Sequence, residues 1–266
     1  VDARRTFART PEMVQVLGEL FGVKYPWNKY AQVVVSDFIF GGMENTTATT
    51  LYEHVLLDER AALDVTSDDL VVHELAHQWF GDYVTCRDWS EGWLNEGFAT
   101  YLEHAWREHR LGGDEYAYGL AVDLHAYLAE ASGRYRRAIV CQDYDAPLDL
   151  FDRHLYEKGS LVLHALRCEL GADVFWRGVN VYLTRHARGV VETRDLCRAL
   201  EEVSGRSLGR HFDLLVMRPG HVEASVEVGW DAGVLSVGVK QTQAATDGVP
   251  SVFELPLWIA IRSGGV

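Results

Sequence analysis

Two histidines four residues apart, His73 and His77, enclose Glu74 in the stretch DLVVHELAHQWFGD. On an α-helix that spacing puts both imidazoles on one face, a turn apart. Two neutral imidazoles so arranged can grip one Zn²⁺, and the glutamate beside the first can reach a water on the metal. A third ligand is needed. Glu96, nineteen positions beyond His77 in WLNEGFATY, offers a carboxylate in a helical context of its own. Two histidines and one glutamate leave a fourth zinc position open, as a catalytic ion requires. The competing reading is a helix with two ordinary histidines. It leaves Glu74 unexplained, because the flanking Leu70, Val71, Val72, Trp79 and Phe80 are apolar. A poorly solvated carboxylate without a partner is costly.

The chemistry open to such a set is hydrolysis. A metal held by His73, His77 and Glu96 lowers the pKa of a coordinated water toward neutrality. Glu74 is then positioned to take that proton and pass it to a leaving amine. Attack on a carbonyl creates an oxyanion that needs a donor or a Lewis acid. Zinc is one source, and the phenol of Tyr156 in LYEKGS is a candidate for another. These residues suit peptide hydrolysis without deciding between cutting inside a chain and cutting at its end. Zinc is the expected ion, one per chain; cobalt or manganese could substitute in such a site.

Several elements must position these groups. Thr10-Pro11 opens a helix over 10–22, with Thr10 as N-cap and Gly22 as its stop. The β-branched and aromatic run from Val33 to Phe40 predicts a strand. It leads into Gly41-Gly42-Met43-Glu44-Asn45, where paired glycines permit close approach of another backbone. On the residues alone, that segment reads as a turn with a solvated glutamate. Residues 46–57 read as extended. Ser67-Asp68-Asp69 supplies a cap and first-turn acids for the histidine helix, which is expected to reach Phe80 and stop at Gly81. A second helix carries Glu96 from near Glu91 or Leu94 to Arg110. Glu103, two turns beyond Glu96, could orient a ligand from behind or simply be an exposed acid. Further helices fit 114–131, 154–170, 173–186, 193–203 and 207–216. The RYRR cluster, Arg134 to Arg137, reads as a solvated loop. After residue 221 the period changes to two, in VEASVEV, GVLSVGVKQTQ and FELPLWIAI, so a domain boundary is expected there.

Composition narrows the class. In 266 residues, 48% are hydrophobic, enough for a sizeable core. The net charge of −14 argues against a nucleic-acid backbone or an anionic membrane as main partner. No run of apolar residues is long enough for a membrane span or a signal peptide. Cys86, Cys141, Cys168 and Cys197 are widely spread, which suggests neither a disulfide framework nor a cysteine metal cluster and fits a reducing, cytoplasmic compartment. Both ends read as cuts in a longer protein.

Four segments in order resemble the aminopeptidase N family of gluzincin zinc aminopeptidases, which includes leukotriene-hydrolase-type members. The correspondence runs over nearly all of residues 7 to 221. FIFGGMENTTATTL resembles the family's exopeptidase motif, with Gly42 where many members carry alanine. HELAHQWFGD and WLNEGFATY match its zinc signature, LYEKGSLVL the segment of its catalytic tyrosine, and FDLLVMRPGHV the end of the segment before its β-domain.

The resemblance implies an α+β fold: a thermolysin-like, mainly helical zinc metallopeptidase domain over 1–221 with a small N-terminal mixed sheet, then the start of a β-sandwich over 222–266. It implies that Gly41, Gly42, Met43, Glu44 and Asn45 line the substrate site on a strand edge that pairs with the substrate backbone. Glu44 would bind the substrate's free α-amino group, and Gly42 would slightly enlarge the room for the first side chain. Tyr156 becomes an oxyanion donor, and Arg218 and His221 could face the substrate channel. The function so implied is a zinc aminopeptidase acting on peptides with a free N-terminus, joined in the whole protein by further N- and C-terminal domains. The alternatives are a thermolysin-like endopeptidase, which has no use for the GGMEN segment, and an inactive or peptide-binding fragment.

Overall fold

Helical spacing of apolar residues governs most of the chain in the computed structural model, which describes residues 1–254 and 256–261. A short helix, α1 (Asp2–Thr6), precedes α2 (Thr10–Phe21). Met13, Leu17 and Phe21, each four apart, are buried along one face of α2, and Gly22 ends it in the left-handed region at φ 63°. Thr10 does not cap this helix. It is the first helical residue, and its hydroxyl donates to Gln32 Oε1 at 2.9 Å.

Three strands follow: β1 (Ala31–Val35), β2 (Gly42–Met43) and β3 (Ala48–Tyr52). They form a mixed sheet in the order β1-β3-β2, with β1 parallel and β2 antiparallel to β3. The strand expected to run to Phe40 stops at Val35. Asp37 takes a left-handed φ of 58°, which turns the chain out of the sheet and leaves Ile39 and Phe40 exposed. The chain re-enters the sheet at Gly42, so β2 is an edge strand.

The helical body comprises α3 (Asp68–Ala76), α4 (Trp93–Leu111), α5 (Gly113–Gly133), α6 (Gly159–Leu170), α7 (Ala172–Arg185), α8 (Thr193–Ser204) and α9 (Gly209–Leu215). Helices make up about half of the chain, beside small sheets. Two three-residue strands, β4 (Val84–Cys86) and β5 (Gly189–Val191), pair in parallel across more than a hundred residues. Ser67 precedes α3, but its hydroxyl donates to the Val55 carbonyl at 2.6 Å rather than capping.

The core lies under the histidine segment. Phe80 stacks on Phe98 with ring centroids 4.1 Å apart, and Phe21 meets Trp79 and Phe80 edge-on at 5.4 and 5.2 Å. Each such pair contributes about 0.5–1.5 kcal/mol beyond its buried area. The cluster locks α2, the end of α3 and α4 together. A close contact joins α4 to α6. A Cβ on Gly97 would lie 3.1 Å from the Gly159 Cα, and one on Gly159 would lie 3.0 Å from the Gly97 Cα. Glycine at both positions keeps this approach free of a crowding Cβ, with the segment of Tyr156 beside that of Glu96.

Beyond α9, β6 (Ala224–Asp231) and β7 (Val234–Gln241) form an antiparallel hairpin. Ala232 and Gly233 both have positive φ, 46° and 85°, the pattern of a tight two-residue hairpin turn. The third strand expected over FELPLWIAI is not formed in its described residues; Leu255 lies outside them. No described helix is long and apolar enough to cross a membrane.

Candidate active site

His73 lies in the last turn of α3, and His77 caps its C-terminus with helical φ and ψ of −58° and −23°. The regular helix ends at Ala76 rather than Phe80, yet the four-residue spacing is kept. Beyond it the chain tightens, with Gln78 N–H donating to the Leu75 carbonyl at 3.0 Å, and Gly81 turns it at φ 136°. Glu96, in the first turn of α4, faces both rings. Its Oε2 lies 3.3 Å from His73 Nε2 and 3.1 Å from His77 Nε2, and the two Nε2 atoms are 3.2 Å apart.

The outer ring nitrogens decide what these contacts mean. His73 Nδ1 lies 2.8 Å from Glu103 Oε1, and His77 Nδ1 lies 2.9 Å from the Phe80 carbonyl. Both partners are acceptors, so each Nδ1 carries its proton outward and each Nε2 of the neutral ring turns a lone pair inward. Two lone pairs and a carboxylate oxygen then converge. A tetrahedral zinc with bonds near 2.0 Å has ligand–ligand edges of about 3.3 Å, which matches the three separations. The donor set therefore fits one tetrahedral divalent cation with a fourth position open. Glu103 is thus bonded to the His73 ring and is not a free surface acid. Glu103→Ala is expected to weaken zinc binding about 10- to 100-fold, as read by competition with a chromophoric chelator; unchanged affinity would contradict this.

Glu74 is buried, 5% exposed, and its Oε2 has no hydrogen-bond partner. Burial pushes its carboxyl up to about 7, against the pull of the His73 and His77 imidazoles and with the help of the Glu44 and Glu96 charges. Such a value suits a group that takes and returns a proton near neutrality. The carboxyl lies directly against Gly42 and occupies the place where a Cβ would stand, so in this arrangement the room expected there is taken up by the end of a flexible side chain.

Gly41, Gly42, Met43 and Glu44 line a cavity of about 540 Å³ that also holds His73, Glu74, His77, Glu96, Glu103 and Tyr156. Asn45 does not line it; its Oδ1 accepts from Thr50 Oγ1 at 2.8 Å. Gln78 was not foreseen in the sequence. It is fully buried, its Nε2 donates to the Glu44 carbonyl at 3.1 Å, and its Oε1 accepts from Thr47 N–H at 2.8 Å. One side chain thus ties the Glu44 loop to the histidine segment. The only sequence signal was a polar residue next to His77 in an apolar run.

Tyr156 sits in a wide π-helical turn, His154–Lys158, that precedes α6. A single helix from His154 was expected; instead Lys158 N–H reaches back five residues to the Arg153 carbonyl at 2.9 Å. The Tyr156 ring lies roughly parallel to His73, centroids 6.1 Å apart. Burial, and then the Glu96, Glu44 and Glu74 charges, raise its phenol well above the ordinary value, so it stays a proton donor. Arg218 and His221 do not line this cavity: Arg218 lies 3.4 Å from Asp213, and His221 Nδ1 bonds the Tyr127 hydroxyl at 3.1 Å. Nor is RYRR solvated throughout, since Arg137 is paired with Asp152.

A profile of the Peptidase family M1 domain matches residues 5–214. An aminopeptidase N of Streptomyces lividans is 35% identical over 226 residues, 78% of this chain and 25% of that protein. Aminopeptidase 2 of Candida albicans is 32% identical over 231 residues, 81% of this chain and 24% of that protein. The chain thus spans about a quarter of the length of these curated relatives. Among solved structures, an M1 zinc metallopeptidase of Deinococcus radiodurans, a glutamate-to-alanine mutant bound to a Tyr-Ser-Ala substrate, superposes with a TM-score of 0.62 at 29% identity, over 78% of this chain and 43% of that one. Yeast LTA4 hydrolase, at 24% identity and a TM-score of 0.74 over 83% of this chain and 36% of that one, shares the fold.

Proposed function

From the premise that this chain belongs to peptidase family M1, we propose that it is the catalytic part of a zinc aminopeptidase that releases N-terminal residues from peptides. The observation that carries this reading is the convergence of His73 Nε2, His77 Nε2 and Glu96 in one cavity with Glu74, Glu44 and Tyr156. We take the fold around them as thermolysin-like over 1–221, and 222–266 as the start of a β-sandwich domain. A related M1 zinc metallopeptidase binds Tyr-Ser-Ala as substrate, which supports short peptides as substrates here.

His73, His77 and Glu96 would hold one zinc per chain, with Glu103 and the Phe80 carbonyl keeping both rings in the metal-binding tautomer. Bound zinc supplies Lewis-acid polarisation of the scissile carbonyl and activation of water. Glu74 takes the proton of the attacking water on its carboxylate and delivers it to the departing amine. The Tyr156 O–H donates to the oxyanion that forms at the carbonyl. Glu44 pairs with the substrate's α-ammonium group, and the free edge of β2 offers backbone groups to the extended substrate. Burial in a partly apolar cavity strengthens each of these charge contacts.

The amine requirement provides the test. An aminoacyl chromogenic amide with a free α-amino group is expected to be cleaved, and its N-acetylated form to be inert. Glu44→Gln is expected to lose about 1.5–3 kcal/mol of binding to the charged amine, a roughly 10- to 100-fold fall in kcat/KM. Equal turnover of the acetylated amide, or internal cleavage of acetylated peptides, would overturn the exopeptidase reading in favour of an endopeptidase.

A further inference from the structure

The π turn that carries Tyr156 departs locally from ordinary helix. Its wide loop replaces ordinary four-residue hydrogen bonds, and such turns recur at functional sites. Two carboxylates support the start of this turn: Glu130 Oε2 accepts the Arg153 N–H at 2.8 Å, and Asp152 holds the residues that follow. Asp152 Oδ1 accepts the N–H groups of His154 and Leu155, at 2.9 and 3.1 Å, and so caps the start of the turn. The Asp152 carbonyl accepts Tyr156 N–H at 3.3 Å.

That carboxylate is itself held by Arg137. The guanidinium binds it with two parallel bonds, Nε to Oδ2 at 2.8 Å and Nη2 to Oδ1 at 2.6 Å. Its remaining N–H groups reach the carbonyls of Ala138, Ile139 and Leu150 at 2.7 to 2.9 Å. The Tyr135 hydroxyl donates to Oδ2 at 2.8 Å. The side chains of the pair are 12% and 4% exposed, so this is not a solvated surface bridge. His154 adds a wedge: it is fully buried, stacked on Tyr135 at 5.5 Å and edge-on to Tyr127 at 5.3 Å. No other guanidinium described bonds Asp152. Lysine cannot reproduce a planar fork that satisfies a carboxylate and three carbonyls together.

We propose that Arg137, acting through Asp152, is a positioning residue for Tyr156: it locks the carboxylate that caps the π turn and thereby fixes the phenol against the His73 ring. The inference rests on the reading of Tyr156 as the oxyanion donor. Arg137 bonds neither the three metal-binding side chains nor Glu74, but it lines a second cavity with His73 and Tyr156, so a positioning role must show in kcat rather than KM.

The test is a double-mutant cycle on the zinc-loaded chain, with aminoacyl amide hydrolysis and amide hydrogen exchange measured on the same samples. Arg137→Lys is expected to lower kcat about 10- to 100-fold, the cost of a misplacement near 1 Å, with KM changed less than about threefold. In a Tyr156→Phe background the same substitution is expected to cost no more than about a further twofold, because the group it positions is gone. The His154 and Leu155 amides are expected to exchange at least about tenfold faster in Arg137→Lys, while those of α4 and α7 keep their rates. Wild-type kcat in Arg137→Lys, losses that multiply in the double variant, or unchanged exchange at His154 and Leu155 would each overturn the proposal. Asp152→Asn, which keeps the shape and one acceptor oxygen, repeats the test should Arg137→Lys fail to fold. Full activity in Tyr156→Phe would instead remove the catalytic reading of Tyr156, and the exchange rates would then decide the clamp alone.

Discussion

Glu74→Gln is expected to lower kcat by at least about 10³-fold while leaving the bound metal in place. The amide has the volume of the carboxylate, and it cannot accept a proton at any working pH. General acid–base groups contribute about 10²- to 10⁴-fold, and this one would serve twice, toward water and toward the leaving amine. The position admits no easy substitute. Glu74 is buried against Gly42, and its free Oε2 has no protein partner to relay a proton. Glu44 and Glu103 share the cavity, but Glu103 is engaged by His73 at 2.8 Å. The measurement pairs steady-state hydrolysis of an aminoacyl amide with metal content on the same sample. Full metal with turnover above about one-tenth of wild type would remove Glu74 from the role of general base.

The second large effect is expected at His77. Its side chain is 1% exposed, Nδ1 is committed to the Phe80 carbonyl, and Nε2 points at Glu96. His77→Ala removes one of three ligands and leaves a buried carboxylate and an imidazole without a shared cation. Zinc affinity is expected to fall by more than the roughly 100-fold that supporting residues cost. The loss is also readable in stability. Zinc at about 100 times its Kd stabilises a folded protein that binds it by about 2.7 kcal/mol. Wild type should therefore gain that amount in urea unfolding on zinc addition, and His77→Ala should gain almost none at the same zinc concentration. An equal zinc-induced shift in both proteins would place the ion elsewhere.

The parts of the site legible in the sequence were those encoded by short spacing. His73 and His77 share a helix face whatever the rest of the chain does, and Glu103 follows Glu96 by two turns of one helix. What remained hidden depends on residues far apart in the chain. Arg137 looked like one of several surface arginines in RYRR until the fold brought Asp152 against it. Gln78 gains its role only when the Glu44 loop, more than thirty residues earlier, lies within reach of its amide. Backbone strain was equally invisible. The strand expected through Phe40 obeyed β-propensity up to Val35, and Asp37 then took a left-handed turn that propensity does not encode. The pairing of β4 with β5 is a contact of three-residue segments with no periodicity to read. The glycines 97 and 159 sit inside recognised motifs, but their close helix contact, which a Cβ would crowd, is a property of the packed pair.

The most direct test of the central claim is a zinc titration of the stripped chain. The protein is freed of metal with a chelator, then given increasing zinc while release of an N-terminal residue from an aminoacyl amide is followed. We expect no turnover without metal and a linear return of activity that saturates at one zinc per chain. Turnover that survives complete removal of metal, or saturation with zinc bound and His73, His77 and Glu96 dispensable for it, would contradict the account.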